Sequence, residues 1–345
     1  MSGGPMDATL LIATFNRARL LDETLDSIRR MRVSPTRRWE VMVVDNNSTD
    51  DTRAVVERHG PGFPVRLQYL FEPRQGRSSA LNSGIAAASG TIIAFTDDDV
   101  VLADGWLDAA CDGLIDGDPS IAYVGGPVRP IWEIPPPDWL DLDRGELWGT
   151  IAILNYGDRR FVFEEGRKVP LGANMAMRRA IFERTGGFRP DLGRSSGRLV
   201  LGQEVPELLM RVRAAGFRGA YQPAMALSHH VPARRLTRKY FRRWWFGKGI
   251  SRAAFERGLR VTDGGLDLSV VPHVLRVPRA MYGSAVRDLA AWPGDRLRGR
   301  KSAAFRHEMM VTYFAGYFWA RQRDRSVAPQ TTTERPPRRA MTAPR

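Results

Sequence analysis

Cysteine is almost absent from this chain: among 345 residues only Cys111 is one. A single thiol excludes an internal disulfide and a thiolate metal site, and it fits a reducing compartment. Long apolar runs are missing as well. The longest C-terminal stretch without formal charge, Met309 to Ala320, is too short to span a bilayer. The opening MSGGPMDATLL has no basic region followed by an apolar core, so no secretory signal is expected. No GxGxxG follows the first apolar run, and no GxxxxGK ending in Ser or Thr occurs. A dinucleotide fingerprint and a P-loop are thereby excluded. Acidic residues are scarce in the last third. Residues 231–345 carry 25 Lys+Arg against 8 Asp+Glu, a balance of +17, whereas residues 1–230 carry 27 against 30, a balance of −3. The sequence implies a near-neutral body joined to a basic module that faces an anionic surface.

Within that body the densest chemistry lies at Thr91–Val101, TIIAFTDDDVV. An apolar run that reads as a buried strand ends in Asp97, Asp98 and Asp99. Three adjacent carboxylates repel one another and cost desolvation energy unless a positive group sits among them. A hard divalent cation shared with a phosphate would meet that need, and a solvated acidic turn is the plainer alternative.

Alternation of strand and helix surrounds this stretch. Ala8–Ala13 reads as a first strand, ended by Thr14, Phe15, Asn16 and Arg17. Leu21, Leu25 and Ile28 then predict an amphipathic helix over Ala18–Met31. Trp39–Val44 is a second strand, followed by Asp45, Asn46 and Asn47. Ser48 with Asp51 predicts a helix cap. Val65–Phe71 and Thr91–Phe95 complete four strands, with a small-residue helix over Ser78–Ala88. Such a chain predicts an α/β fold with a mostly parallel sheet, in which ligands bind at the carboxyl ends of strands. Three polar clusters sit at three such ends, so they should converge on one crevice. Pro127–Leu140, rich in Pro and Trp, reads as an irregular loop whose rings, such as Trp132, either stack on a sugar or pack the loop down. Tyr221–Leu227 reads as a last strand, with His229 and His230 after it.

In order, the segments ATFNR, VVDNNSTDDT, GRSSALNSGI, IIAFTDDDV, LGANMAMRR, RTGGF, LGQEVPEL and SHHVP resemble the inverting family 2 glycosyltransferases of GT-A fold. They span roughly residues 8–232. The resemblance implies that Thr14, Asn16, Arg17, Asp45, Asn47, Arg77, Asn82, Asp97 and Asp98 hold a nucleotide diphosphate sugar, with uridine as the expected base. It implies that Asp99, with Asp97 and the late His229, binds Mg²⁺ or Mn²⁺ against the diphosphate. Gly172, Ala173, Asn174 and Trp132 would lie on the acceptor side. The family commonly shows Gly-Glu-Asp-x-Glu-Leu where this chain has Gly202-Gln203-Glu204-Val205-Pro206-Glu207-Leu208. The usual base position therefore holds Val205. That leaves Glu204 as the expected base, with Glu207 as substitute, or a catalytically weak relative that binds or scaffolds in polysaccharide assembly. A glycosidase would pair two carboxylates without the nucleotide-type clusters, and a sugar nucleotidyltransferase would want a glycine-rich N-terminal loop.

Beyond residue 232 the resemblance ends. Residues 233–325 read as a basic helical extension, and 326–345 as a disordered tail. In Arg234–Arg257, Leu236, Tyr240 and Trp244 recur at helical spacing among arginines. That composition predicts an interfacial helix on an anionic membrane, or one packing its aromatic edge on the catalytic domain. No nucleic-acid recognition motif accompanies the charge, so a membrane surface or lipid-linked acceptor is expected instead. The expected location is the cytoplasm, peripheral at the inner face of the cell membrane.

Overall fold

Seven consecutive residues of the first strand (β1, Ala8–Thr14) and seven of the second (β2, Trp39–Asp45) lie almost wholly out of solvent. Runs such as LLIA and VMVV are apolar throughout because both faces of the strand are covered. The computed structural model describes residues 6–115, 118–143, 145–163, 168–192, 202–257 and 267–323. The tail from Ser326 lies outside the described residues.

Between and after these strands come α1 (Ala18–Arg30), α2 (Thr52–His59), β3 (Arg66–Phe71), α3 (Arg77–Ala87), β4 (Ile92–Thr96), β5 (Val100–Leu102) and α4 (Trp106–Leu114). Then follow β6 (Ile121–Gly125), β7 (Val128–Trp132), β8 (Phe161–Val162), β9 (Asn174–Arg178), α5 (Ala180–Thr185), α6 (Glu204–Ala214), β10 (Arg218–Tyr221) and β11 (Leu227–Val231). The main sheet runs β3-β2-β1-β4-β9-β6-β10-β8. Its first four strands are parallel, and β9 inserts antiparallel to both β4 and β6. The chain winds outward from β1 to β3, then returns to the other side of β1 with β4. That reversal opens a crevice at the carboxyl ends of β1 and β4.

Three expectations need correction. Ser48 does not cap α2, which starts at Thr52. Its hydroxyl accepts from Asn16 N, while Asp50 accepts from Thr52 N. Pro127–Leu140 contains β7, paired in parallel with β11. Pro130 is tolerated there because β7 is an edge of the small sheet β5-β11-β7. Tyr221–Leu227 is not one strand. Gln222–Ala226 turns the chain from β10 in the main sheet to β11 in the small one. The strand β9 within the GANMAMRR segment had no clear alternation to announce it.

After β11 the extension forms α7 (Arg238–Phe255), α8 (Arg279–Leu297) and α9 (Lys301–Arg323). Thr237 caps α7 by accepting from Tyr240 N at 3.2 Å. Gly249 and Gly316 let α7 and α9 cross with backbones nearly touching. A Cβ at Gly249 would lie 2.1 Å from the Tyr313 carbonyl oxygen, and one at Gly316 2.0 Å from that of Phe246. Phe241, Trp245, Phe305 and Met309 join Trp139, Leu147, Ile151 and Val231 in a second core.

Cys111 is fully buried on α4, and burial pushes its thiol up to about 12. The thiolate is the reactive form. Thiol reagents are therefore expected to leave the native protein unlabelled at neutral pH and to label it fully in denaturant. Rapid native labelling would show that α4 opens far more readily than its packing indicates.

Candidate active site

The three aspartates occupy the short link from β4 to β5, and each meets a guanidinium. Thr14 at the end of β1 donates to Asp98 Oδ2 at 2.7 Å. Arg17 Nη1 donates to both Asp98 Oδ1 and Asp99 Oδ2 at 2.8 Å. Arg77, the first residue of α3, donates to Asp97 Oδ1 at 2.9 Å and to Glu204 Oε1 at 3.4 Å. Asp99 also faces His229 Nε2 at 3.4 Å and Arg235 at 3.8 Å. The small sheet holds these in place: β11 pairs with β5, and His230 N donates to the Asp99 carbonyl.

Burial decides how these groups share charge. It raises Asp98 above the usual carboxylate range, against the pull of Arg17. Asp99 feels the same burial, but His229, Arg17 and Arg235 outweigh it and hold this carboxyl low. Burial disfavours the Arg17 cation, yet Asp98 and Asp99 more than restore it. Two of the three are thus not solvated: Asp98 and Asp99 are 4% and 3% exposed, while Asp97 is half-buried.

Other expected site residues separate into two groups. Thr14, Arg17, Arg77, Gly172, Ala173, Glu204 and His229 line one crevice of about 590 Å³ together with all three aspartates. The rest act beside it. Asp45 is buried and accepts from Ser48 N and from Tyr69 Oη. Asn16 and Asn47 hold left-handed backbone at φ 51° and 66°, which asparagine tolerates, and Asn16 braces Thr49. Asn82 spends its amide on the backbone of Phe188, at 2.8 Å in both directions. Asn174 is saturated by Trp106, Pro127 and Met225, so no group of its amide is left for an acceptor. Trp132 packs on the second core. Glu207 is clasped by Arg211 at 2.9 and 2.7 Å.

Glu204, the first residue of α6, is buried, and its Oε2 has no hydrogen-bond partner. Its neighbour Val205 walls the crevice against Gly172. A Cβ on Gly172 would come within 2.9 Å of Val205 Cγ2 and 3.3 Å of Arg77 Nη1. Gly172→Ala is therefore expected to push Arg77 off Glu204 and to lower turnover about tenfold, by the small misplacements that erode catalysis. An unchanged rate would show that this wall yields without cost.

Sequence reasoning missed Asn46, Arg235 and Lys248. Asn46 ties Glu72 O, Arg74 O and Gly76 N together. Its signal was its place in the Asp-Asn-Asn cluster after β2. Arg235 and Lys248 carried none beyond general basicity. The stripe Tyr240, Trp244 and Lys248 on α7 lines the crevice, while Phe241 and Trp245, one position on, enter the second core. The aromatic edge read as a membrane face therefore points into the protein.

The sequence model of Glycosyl transferase family 2 matches residues 9–186. The chain belongs to that family. Succinoglycan biosynthesis protein ExoM of Rhizobium meliloti (strain 1021) is 28% identical over 254 residues, 72% of this chain and 76% of the relative. Glucosyl-dolichyl phosphate glucuronosyltransferase of Haloferax volcanii is 26% identical over 246 residues, 70% and 75% of the two chains. Among solved structures, mannosyltransferase PcManGT from Pyrobaculum calidifontis, in complex with GDP-Man and Mn²⁺, superposes with a TM-score of 0.60 at 21% identity. It covers 93% of this chain and 89% of its own. GalNAc-T7 with UDP, GalNAc and Mn²⁺ gives 0.52 at 15% identity, covering 74% and 50%. These likenesses give the fold of this family 2 chain as GT-A, the α/β class its strand and helix pattern implied.

Proposed function

We propose that this family 2 chain transfers a sugar, with inversion, from a nucleotide diphosphate sugar to a hydroxyl of a glycan or lipid-linked acceptor. One observation carries the reading. The acidic link Asp97–Asp99 and the partnerless carboxylate oxygen of Glu204 share one crevice, joined by Arg77. Glu204 would take the acceptor proton as the oxygen attacks the anomeric carbon. Arg77, bonded to both carboxylates, holds that base in register with the donor side.

A divalent cation fits the residues present. Asp99 Oδ1 lacks a hydrogen bond, and His229 Nε2 lies within reach of it, facing Arg235 Nη1 at 3.2 Å. One lone pair does not serve a guanidinium and a metal at once, so His229 Nε2 would ligate only with the Arg235 side chain drawn aside. Asp99 and His229 would hold Mn²⁺ or Mg²⁺, with imidazole better suited to Mn²⁺. When bound, such an ion stabilises charge on the leaving diphosphate. No group of three His, Cys, Asp or Glu gathers for a metal among the described residues. The remaining ligands would therefore come from donor and solvent.

The test is a panel of UDP- and GDP-sugars with Mn²⁺ or Mg²⁺, reading nucleoside diphosphate release and the anomeric configuration of the product. Retained configuration would overturn the single displacement. Absence of release with every donor would favour the second reading, a weak relative acting as a scaffold, which Val205 motivates.

We also propose a peripheral place at the inner, cytoplasmic face of the membrane, resting on α8 rather than α7. No helix among the described residues is long and apolar enough to cross a membrane. Yet α8 leaves Val286, Leu289 and Leu297 exposed beside Arg287, Arg296 and Arg298. Apolar and cationic side chains on one exposed helix suit an anionic interface. Binding to vesicles containing phosphatidylglycerol is expected, weakening at least tenfold in Leu289→Glu and in high salt. Equal binding to neutral vesicles would defeat the idea.

A further inference from the structure

Three arginines of the crevice already have partners. Arg17 is held by Asp98 and Asp99, Arg77 by Asp97 and Glu204, and Arg235 by His229 and Asp99. Lys248 differs. It lines the same crevice, but no carboxylate lies within ion-pair distance of it among the described residues. Its ammonium sits 5.1 Å from the Trp244 ring and 4.3 Å from the Trp245 ring. Burial, and then the like charge of Arg252, lower it to about 8. Beside it, Trp244 Nε1 is buried with no hydrogen-bond partner. Trp245 Nε1, by contrast, is satisfied by Thr150 Oγ1 at 3.0 Å, which pins α7 to the wall at Gly149–Ala152.

An ammonium and an indole N–H are both donors, and neither can accept. Lys248 is half-buried, and a cation drawn partly out of water with only indole faces beside it gains from an anion that enters and is held by charge-assisted hydrogen bonds. The donor-side clusters lie at the ends of β1, β2 and β4, whereas these two groups come from a different element of the same crevice, α7. We propose that Lys248 and Trp244 form an oxyanion subsite on the acceptor wall, taking a phosphate or carboxylate carried by the acceptor. This rests on the transferase reading above.

Calorimetry on the full chain tests it, with Mn²⁺ and whichever of UDP or GDP binds already in place. Decyl phosphate serves as a lipid-borne phosphate, glucose 1-phosphate as a soluble one, and glucuronate as a carboxylate. Decanol and glucose are the neutral counterparts. At least one anion is expected to bind where its neutral counterpart does not. Lys248→Met should weaken it roughly 10- to 100-fold, Trp244→Phe less, and Lys248→Arg should restore it. Affinity for the nucleoside diphosphate should stay the same in all three variants. The subsite is overturned if no anion outbinds its neutral counterpart, if Lys248→Met binds like the parent, or if the anion displaces the nucleoside diphosphate. Failure of the parent protein to bind either nucleoside diphosphate would count against the transferase reading instead. The same anion titrations on the free chain would still decide the subsite.

Discussion

Asp99→Asn is expected to lower sugar transfer about a thousand-fold or more with the fold intact. The side chain keeps its shape, but its negative charge is the meeting point of Arg17, His229 and Arg235. Without that charge the crevice loses the carboxylate that would hold a cation against the diphosphate. A cation's stabilisation of the leaving group is worth several kcal/mol, and each 1.4 kcal/mol is about tenfold in rate. Asp98→Asn should cost much less, because Asp98 works as a buried acceptor for Thr14 and Arg17 rather than facing His229. Nucleoside diphosphate release at saturating donor measures both, and circular dichroism checks the fold. Wild-type turnover in Asp99→Asn would end the proposed role, and equal losses in the two variants would show that the triplet acts only as a block of charge.

Glu204→Gln should reduce kcat by about 10²–10⁴ while leaving the donor KM near its starting value, the signature of a lost general base. Glu207→Gln should behave in the opposite sense. Its carboxylate is buried and bidentate to Arg211, whose other donors reach the backbone of Gly187. Its loss should cost roughly 1–3 kcal/mol of stability, read as a lower Tm, with turnover changed only a few-fold. If Glu207→Gln kills activity at unchanged Tm while Glu204→Gln does not, the base has been assigned to the wrong carboxylate.

The two roles could not be told apart along the chain. Glu204 and Glu207 are three residues apart on one helix, and only their partners, Arg77 from α3 and Arg211 from α6 itself, give them different work. The acidic half of the crevice was easier to read. Thr14, Arg17 and Asp97–Asp99 each follow an apolar run, and parallel strands carry such ends to one edge. Asn82 and Asn174 show the limit of that logic. Each lies in a segment typical of its family, yet each spends its amide on backbone groups many residues away. For α7, helical spacing correctly marked Tyr240 and Trp244 as one stripe. What that stripe faces depended on α9, which crosses at Gly249 and covers the neighbouring stripe instead.

The second core has a practical consequence for anyone who would shorten this protein. Trp139, Leu147, Ile151 and Val231 come from the catalytic part, and Phe241, Trp245, Phe305 and Met309 from the extension that covers them. A chain ended after residue 232 would keep every carboxylate discussed above. It would also turn a sealed aromatic interior into bare surface, the kind of patch that drives self-association. The soluble minimal enzyme is therefore the one that keeps α7 and α9, and swapping extensions between relatives would need the Trp139–Ile151 segment to travel with them.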